Sequence, residues 1–263
     1  MNYIFKISLL LLSVSLLLVP GAIAQGEIDD EAKVFYRNER TFSGTLFSNG
    51  WNAGLQYSLR KDAFRSYLLG GDIGSLKHPK EFKSQSPYAG GWGTGFVFGK
   101  TNEVVSIRFG AGFQKEIFGK YDKGGISVRY FYSAGLSLAL MKPVYYEKVV
   151  GFDYERLKIL TEESLFDPDV MQSIYDIYDR KSFFKGINEI KPDPGVFARA
   201  GISFEYSIQD RIVNALEAGV QVEGFLNKIP IMASNDNRQL FLSLFVTYRF
   251  GKVLDARFKS SPL

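Results

Sequence analysis

The 263-residue sequence contains no cysteine and only one histidine. Without cysteine there can be no disulfide, thiol nucleophile or thiolate metal site. A single imidazole argues against a transition-metal centre. That histidine, His78, lies in Lys77-His78-Pro79-Lys80-Glu81. Serines 75, 84 and 86 are near it in sequence, but a hydrolase needs a defined serine–base geometry that a loop neighbourhood does not supply. The acidic stretch Asp167–Asp179 lacks the Asp/Asn/Gly spacing of a calcium loop. Gly70-Gly71 and Gly90-Gly91 do not open a helix, so they are not phosphate cradles. No catalytic, cofactor-binding or metal-binding residues are expected, and the chain is not read as an enzyme. Its formal net charge of +4 is too small to argue for nucleic acid. Beyond residue 24 no apolar run is long enough to span a membrane as a helix.

The first 24 residues have the pattern of a secretion signal. Lys6 gives a short basic start, Ile7–Val19 is apolar, and Ala22-Ile23-Ala24 precedes Gln25. Cleavage there leaves a chain that begins with Gln25 rather than the cysteine of a lipoprotein.

The rest of the sequence repeats one motif, stretches of roughly ten residues in which apolar and polar side chains alternate. In Ile126–Leu140 the residues Val128, Tyr130, Tyr132, Ala134, Leu136 and Leu138 share one face. Ser127, Arg129, Phe131, Ser133, Gly135 and Ser137 share the other. Strands place alternate side chains on opposite faces. The same alternation runs through Val105–Gln114, Arg199–Ser207, Leu216–Glu223 and Gln239–Phe250. The large residues keep to the apolar face, while glycine, serine and charges of both signs populate the other. A soluble sandwich shows the reverse distribution of bulk. The pattern suits a barrel with lipid outside and a crowded polar interior. Aromatics make up 15% of the sequence, enough for girdles at two interfaces. Trp51, Tyr57, Trp92, Tyr130, Tyr132, Tyr145, Tyr146, Tyr248 and Phe250 are the candidates.

The predicted organisation is a signal peptide at 1–24, a periplasmic lead at 25–39, a barrel at 40–250 and a basic tail at 251–263. Strands are predicted near Arg40–Phe47, Trp51–Arg60, Ser66–Leu76, Gly93–Lys100, Glu103–Glu116, Gly125–Leu138, Val196–Ser207, Val213–Leu226 and Gln239–Phe250. Ser48-Asn49-Gly50 is a strong hairpin signal, and Thr101-Asn102 and Gln209-Asp210 also suggest tight turns. Nine crossings conflict with the even count of bacterial single-chain barrels. A further strand at Val144–Val150 restores parity, so the expectation is an all-β, antiparallel transmembrane β-barrel of about ten strands. The alternative is eight, with Gly93–Lys100 demoted. The insertion 151–193 lacks alternation, and Asp169–Asp179 is read as a short helix.

The inward row carries Arg60, Arg108, Arg129, Arg199 and Arg249, together with Asp72, Glu116, Glu205, Glu217 and Glu223. Charges inside a barrel must be paired, so these ten residues are predicted to form an interior salt-bridge network. Several segments also resemble a family of uncharacterised outer-membrane barrel proteins of the Bacteroidota type: Arg37-Asn38-Glu39-Arg40, Lys77-His78-Pro79-Lys80-Glu81, Phe96-Val97-Phe98-Gly99-Lys100, Gly112-Phe113-Gln114-Lys115 and Tyr248-Arg249-Phe250-Gly251-Lys252. The resemblance implies an outer-membrane barrel and supplies no activity, cofactor or site residue. The expected role is structural, or that of an accessory subunit in an envelope assembly. Membrane lipid is the expected contact, with other outer-membrane or periplasmic proteins as further partners. Narrow-pore transport is the alternative, and a lipid-modifying enzyme is third.

Overall fold

The computed structural model describes residues 37–88, 95–120, 124–156, 158–208, 211–234 and 236–255. The expected signal peptide, Trp92, the expected turn at Gln209-Asp210 and the expected tail beyond Asp255 lie outside these residues. The strands are β1 (Arg37–Phe47), β2 (Gly50–Arg60), β3 (Arg65–Leu76), β4 (Lys83–Ser84), β5 (Phe96–Val97), β6 (Asn102–Phe118), β7 (Ser127–Pro143), β8 (Tyr145–Asp153), β9 (Lys158–Leu165), β10 (Ile177–Arg180), β11 (Lys191–Glu205), β12 (Ile212–Phe225) and β13 (Leu240–Asp255).

Eight of them form a closed barrel in the order β1-β13-β12-β11-β7-β6-β3-β2, with every pair antiparallel. The count is eight rather than ten. Parity is restored by losing a strand, because Gly93–Lys100 yields only the two-residue β5, paired to β4 away from the barrel. The strand expected at Val144–Val150 exists as β8, but it belongs to a separate sheet ordered β10-β8-β9. The expected helix at Asp169–Asp179 is instead a single 3-10 turn, Ile174–Asp176. Ser173 caps it, with its hydroxyl accepting from the Tyr175 N–H while Asp176 accepts from the Ser173 N–H. The strong local acceptors end the turn at once and leave Ile177 free to enter β10.

With eight crossings, the connections at one end of the barrel, where Arg37 and Asp255 also lie, are all short and form its short-turn end. They are 61–64, 119–126 and 206–211. The opposite end carries the Ser48-Asn49 hairpin and the long connections 77–101, 144–190 and 226–239. At that hairpin Gly50 takes φ 154°. A Cβ there would collide with the Ser75 carbonyl of the neighbouring strand, so the glycine permits the close approach.

Several boundaries shift. β1 starts at Arg37, so Arg37–Glu39 are barrel rather than lead, and β13 continues to Asp255. Thr101-Asn102 is not a hairpin turn, since Asn102 already opens β6 and the preceding β5 pairs with β4 instead. β11 starts at Lys191 despite Pro192 and Pro194. The Pro194 carbonyl faces the β12 side, where it accepts from Leu226. The paired ladder on that side begins only at Gly195. The missing proline N–H groups therefore point to an unpaired edge and cost no ladder bond.

The two faces are segregated along each barrel strand. On β13, Leu242, Leu244, Val246, Tyr248 and Phe250 are exposed, while Phe241, Ser243, Phe245, Thr247 and Arg249 are buried. The interior also holds aromatics, and four of them sit against a glycine on the adjacent strand. Directly opposed pairs are Phe131–Gly201, Phe197–Gly135, Phe225–Gly195 and Phe245–Gly219. The missing side chain leaves the space into which the ring lies, a device that supports strand glycines. A Cβ at Gly219 would collide first with the Ala200 carbonyl of the neighbouring strand and would also lie 2.9 Å from Cζ of Phe245, whereas one at Gly44 would meet nothing within 4 Å. Gly219→Leu is therefore expected to cost about 1–3 kcal/mol by overpacking. Gly44→Ala is expected to be neutral or stabilising. Urea unfolding in lipid vesicles measures both, and equal effects would contradict the close packing at Gly219.

Candidate functional site: the barrel interior and its outer cap

Nine of the ten predicted interior charges meet inside the barrel. At mid-height the register sets Asp72 of β3 directly opposite Arg108 of β6. Arg108 Nε donates to Asp72 Oδ1 at 2.6 Å, and its Nη1 reaches Glu223 Oε2 at 3.2 Å. Arg199 Nη2 donates to the other Asp72 oxygen at 3.0 Å, and its Nε donates to Gln221 at 2.8 Å. Ser106 donates to Glu223 at 2.6 Å. Both guanidinium groups lie over the Phe47 ring, at 5.2 and 5.5 Å, which suits the weakly hydrated, planar arginine. Nearby, Arg249 holds Glu217 through two parallel bonds of 2.7 and 2.9 Å and donates to Thr41 at 3.2 Å. That is the fork geometry in which arginine grips a carboxylate best.

Toward the short-turn end, Arg129 sits among Glu39 at 3.3 Å, Glu116 at 3.4 Å and Glu205. Lys120, in the turn below, donates to Glu205 at 2.8 Å. Three acids around one arginine would repel one another, and Lys120 supplies the second positive charge. Arg60 stands apart from all of this. Its guanidinium donates to the carbonyls of Asp62 and Ala63 and so caps the 61–64 turn. The inward register of β2 ends there, and the long side chain finds carbonyls closer than any interior acid. Sequence reading missed Glu39, assigned to the lead, and Lys120, assigned to a turn. Strand periodicity carries no signal for a residue beyond the strand end that folds back into the lumen.

One cavity among the interior charges, lined in part by Asp72, Arg199 and Arg249, has a volume of about 40 Å³, room for a few waters. Above the charges, connection 226–239 closes the mouth. Ile229, Ile231 and Met232 are buried with Leu76, Val104, Ala139, Phe225 and Phe241. The Ile231 carbonyl accepts from the N–H groups of Thr101 and Asn102, and the Asn237 side chain donates to the carbonyls of Met232 and Ser234.

The three-stranded sheet forms a cap with a core of its own. Phe96, Val144, Tyr146, Met171 and Ile177 are buried together, with Phe98 and Phe166 against them. Tyr146 donates to the Val97 and Lys100 carbonyls at 2.9 and 2.8 Å. Burial pushes its hydroxyl well above the ordinary phenol range. Tyr145 and Tyr146 therefore belong to the cap and not to a membrane girdle. On the cap surface Lys185 and Lys181 flank Glu163 and hold its carboxyl below the usual carboxylate range. His78 is buried, its Nδ1 accepting from the Lys80 N–H at 3.2 Å. Of the serines near it in sequence, Ser86 turns to the cap instead, where it donates to the Tyr178 carbonyl. Among the described residues no group of three His, Cys, Asp or Glu side chains could hold a metal ion.

Eight antiparallel strands closed on themselves, apolar outside and ion-paired inside, define a small transmembrane β-barrel. No protein-family model and no curated protein matches the chain. Among solved structures it is similar to the N-terminal β-barrel domain of Pseudomonas aeruginosa OprF, at TM-score 0.36 and 8% identity, covering 84% of this chain and 100% of that one. It is also similar to Neisserial surface protein A, NspA, at TM-score 0.34 and 11% identity, covering 84% and 97%. A third is Ail, the attachment invasion locus protein of Yersinia pestis, solved with the heparin analogue sucrose octasulfate, at TM-score 0.33 and 7% identity, covering 84% and 99%. These likenesses are weak. The class assignment rests on the strand ladder and the two side-chain faces.

Proposed function

We propose that this chain is an integral outer-membrane β-barrel protein, delivered by a signal peptide cleaved before Gln25, that serves as a non-enzymatic accessory subunit of an envelope assembly. It is oriented with its short turns toward the periplasm and its cap outside the cell. The observation that carries the reading is a closed barrel surmounted by a cap with its own core. A barrel built for passage needs a lumen, and this one is filled by ion pairs and an apolar plug. A cap built only to cover the mouth needs no second core or outward aromatics. Tyr154 is 84% exposed and Phe184 74% exposed, on a support held rigid by Tyr146 and its neighbours. At the β8–β9 tip Tyr154 packs edge to face with Phe152, which is also exposed, and exposed aromatics on an ordered scaffold favour a protein contact. The resemblance to Bacteroidota-type barrels supports the compartment.

A mild-detergent pull-down of the native protein tests the role. A stoichiometric envelope partner is expected. It should be lost when residues 145–189 are replaced by a short Gly-Ser linker, with the barrel still heat-modifiable on gels. Recovery of a lone monomer would sink the accessory reading. Conductance tests the alternative of a narrow pore. The plugged interior is expected to give small channel events or none in planar bilayers, and stable porin-like openings would restore the transport reading.

A further inference from the structure

The outer wall is not uniformly convex at the cap end. Across β2, β3 and β6 the outward row runs Trp51, Ser75, Val105, and the next runs Ala53, Ile73, Ile107. Small Ser75 and Ala53 lie between bulky neighbours and leave a groove of about 610 Å³. The cap supplies its outer side through Phe183. That ring is held by Lys142, whose Nζ lies 4.8 Å from its centroid. Lys142 in turn pairs with Glu103 at 3.5 Å, and Arg180 of the cap pairs with the same carboxylate at 2.8 Å. The groove is thus built by two parts of the fold. Its apolar walls are continuous with the lipid-facing face: Trp51 and Ile73 are about half exposed, at 54% and 51%. At its rim stands the exposed ammonium of Lys77.

From this juxtaposition of an apolar groove in the lipid-facing wall, a cap-derived aromatic side and a rim lysine, we infer a site for one phosphorylated lipid of the leaflet around the cap end. Its acyl chain lies along Ser75 and Ala53, between Trp51 and Val105, and its phosphate meets Lys77. An aqueous ligand would not seek a groove whose lower rim is hydrocarbon. A neutral lipid would make no use of the ammonium. The inference rests on the reading of the wall as membrane-embedded.

Trp51 reports on the site directly, because the sequence has only two tryptophans. In a Trp92→Phe background, the protein is placed in nanodiscs containing increasing fractions of dibrominated phosphatidylglycerol or dibrominated phosphatidylcholine. The expected result is a preference of about fivefold for the anionic lipid in quenching Trp51, the scale of one lysine at a headgroup. Lys77→Glu should abolish the preference. Ser75→Leu, which fills the groove and keeps the wall apolar, should abolish it as well. Both variants are first checked for heat-modifiable migration. Equal quenching by the two lipids would overturn the site while leaving the wall in lipid. A preference that survives Ser75→Leu would overturn it too, by reducing the effect to surface charge. Absence of quenching by either lipid would overturn the membrane-embedded reading itself.

Discussion

Asp72→Leu is expected to cost about 3–5 kcal/mol of barrel stability, the scale of breaking a buried ion pair by removing one partner. Asp72 divides its two oxygens between Arg108 and Arg199, at 2.6 and 3.0 Å. Leucine would leave both cations in the lumen. Arg108 keeps Glu223 and Arg199 keeps Gln221, so the loss is partial for each and summed over two. The companion variants separate this from simple loss of packing. Arg249→Met with Glu217→Leu removes a whole pair and should approach neutrality, because buried pairs exchange well for apolar groups of similar volume. Glu217→Leu alone should resemble Asp72→Leu. Urea unfolding in vesicles, followed by tryptophan emission, provides the measurement. If the single and double changes at 217 and 249 cost the same, the interior is not organised by charge pairing.

The second large effect is on the other face. Val246→Arg is expected to lower stability in vesicles by about 2–4 kcal/mol, the cost of an arginine on a barrel's lipid face near the bilayer midplane. Val246 is half exposed and lies near the centre of β13. Leu254→Arg, at the short-turn end of the same strand and also facing outward, should cost only about 0–1 kcal/mol, because the penalty falls toward the interface. Depth dependence is the informative part. A surface in water would charge both positions alike, so a flat profile would remove the wall from hydrocarbon.

The sequence carried the barrel's two faces in full, and the reason is mechanical. A period of two is an intrinsic property of an extended chain, so every residue from Val105 to Phe113 or from Leu240 to Phe250 declares its face by parity alone. Strand count was harder. Tyr145–Asp153 has true strand character, but nothing in a local pattern says which sheet a strand will join. Its partners are Lys158–Leu165 and Ile177–Arg180, both inside a stretch without alternation. Their side chains serve a shallow cap with one small core and much exposed surface, so the two-residue rhythm is blurred. At the interior site, parity found nine charges and misplaced Arg60, whose partners are turn carbonyls set by a backbone path that periodicity does not encode. The Phe–Gly pairs were also hidden, because they need the cross-strand register. Glycine and phenylalanine on one face look like unrelated composition until Gly219 and Phe245 are set opposite each other.

Closure of the barrel has a consequence for how the cell could judge a finished chain. The seam joins Arg37 to Asp255 and continues to Phe47 opposite Phe245, so the first strand made must wait for the last. Until Leu240–Asp255 is available, β1 and β12 each present a bare row of backbone donors and acceptors, the kind of edge that recruits other chains. Once the seam is tied, no such row remains on the barrel. A product clipped by even one strand would therefore carry two adhesive margins where the intact barrel has none. That all-or-none difference distinguishes incomplete molecules from finished ones without any dedicated tag.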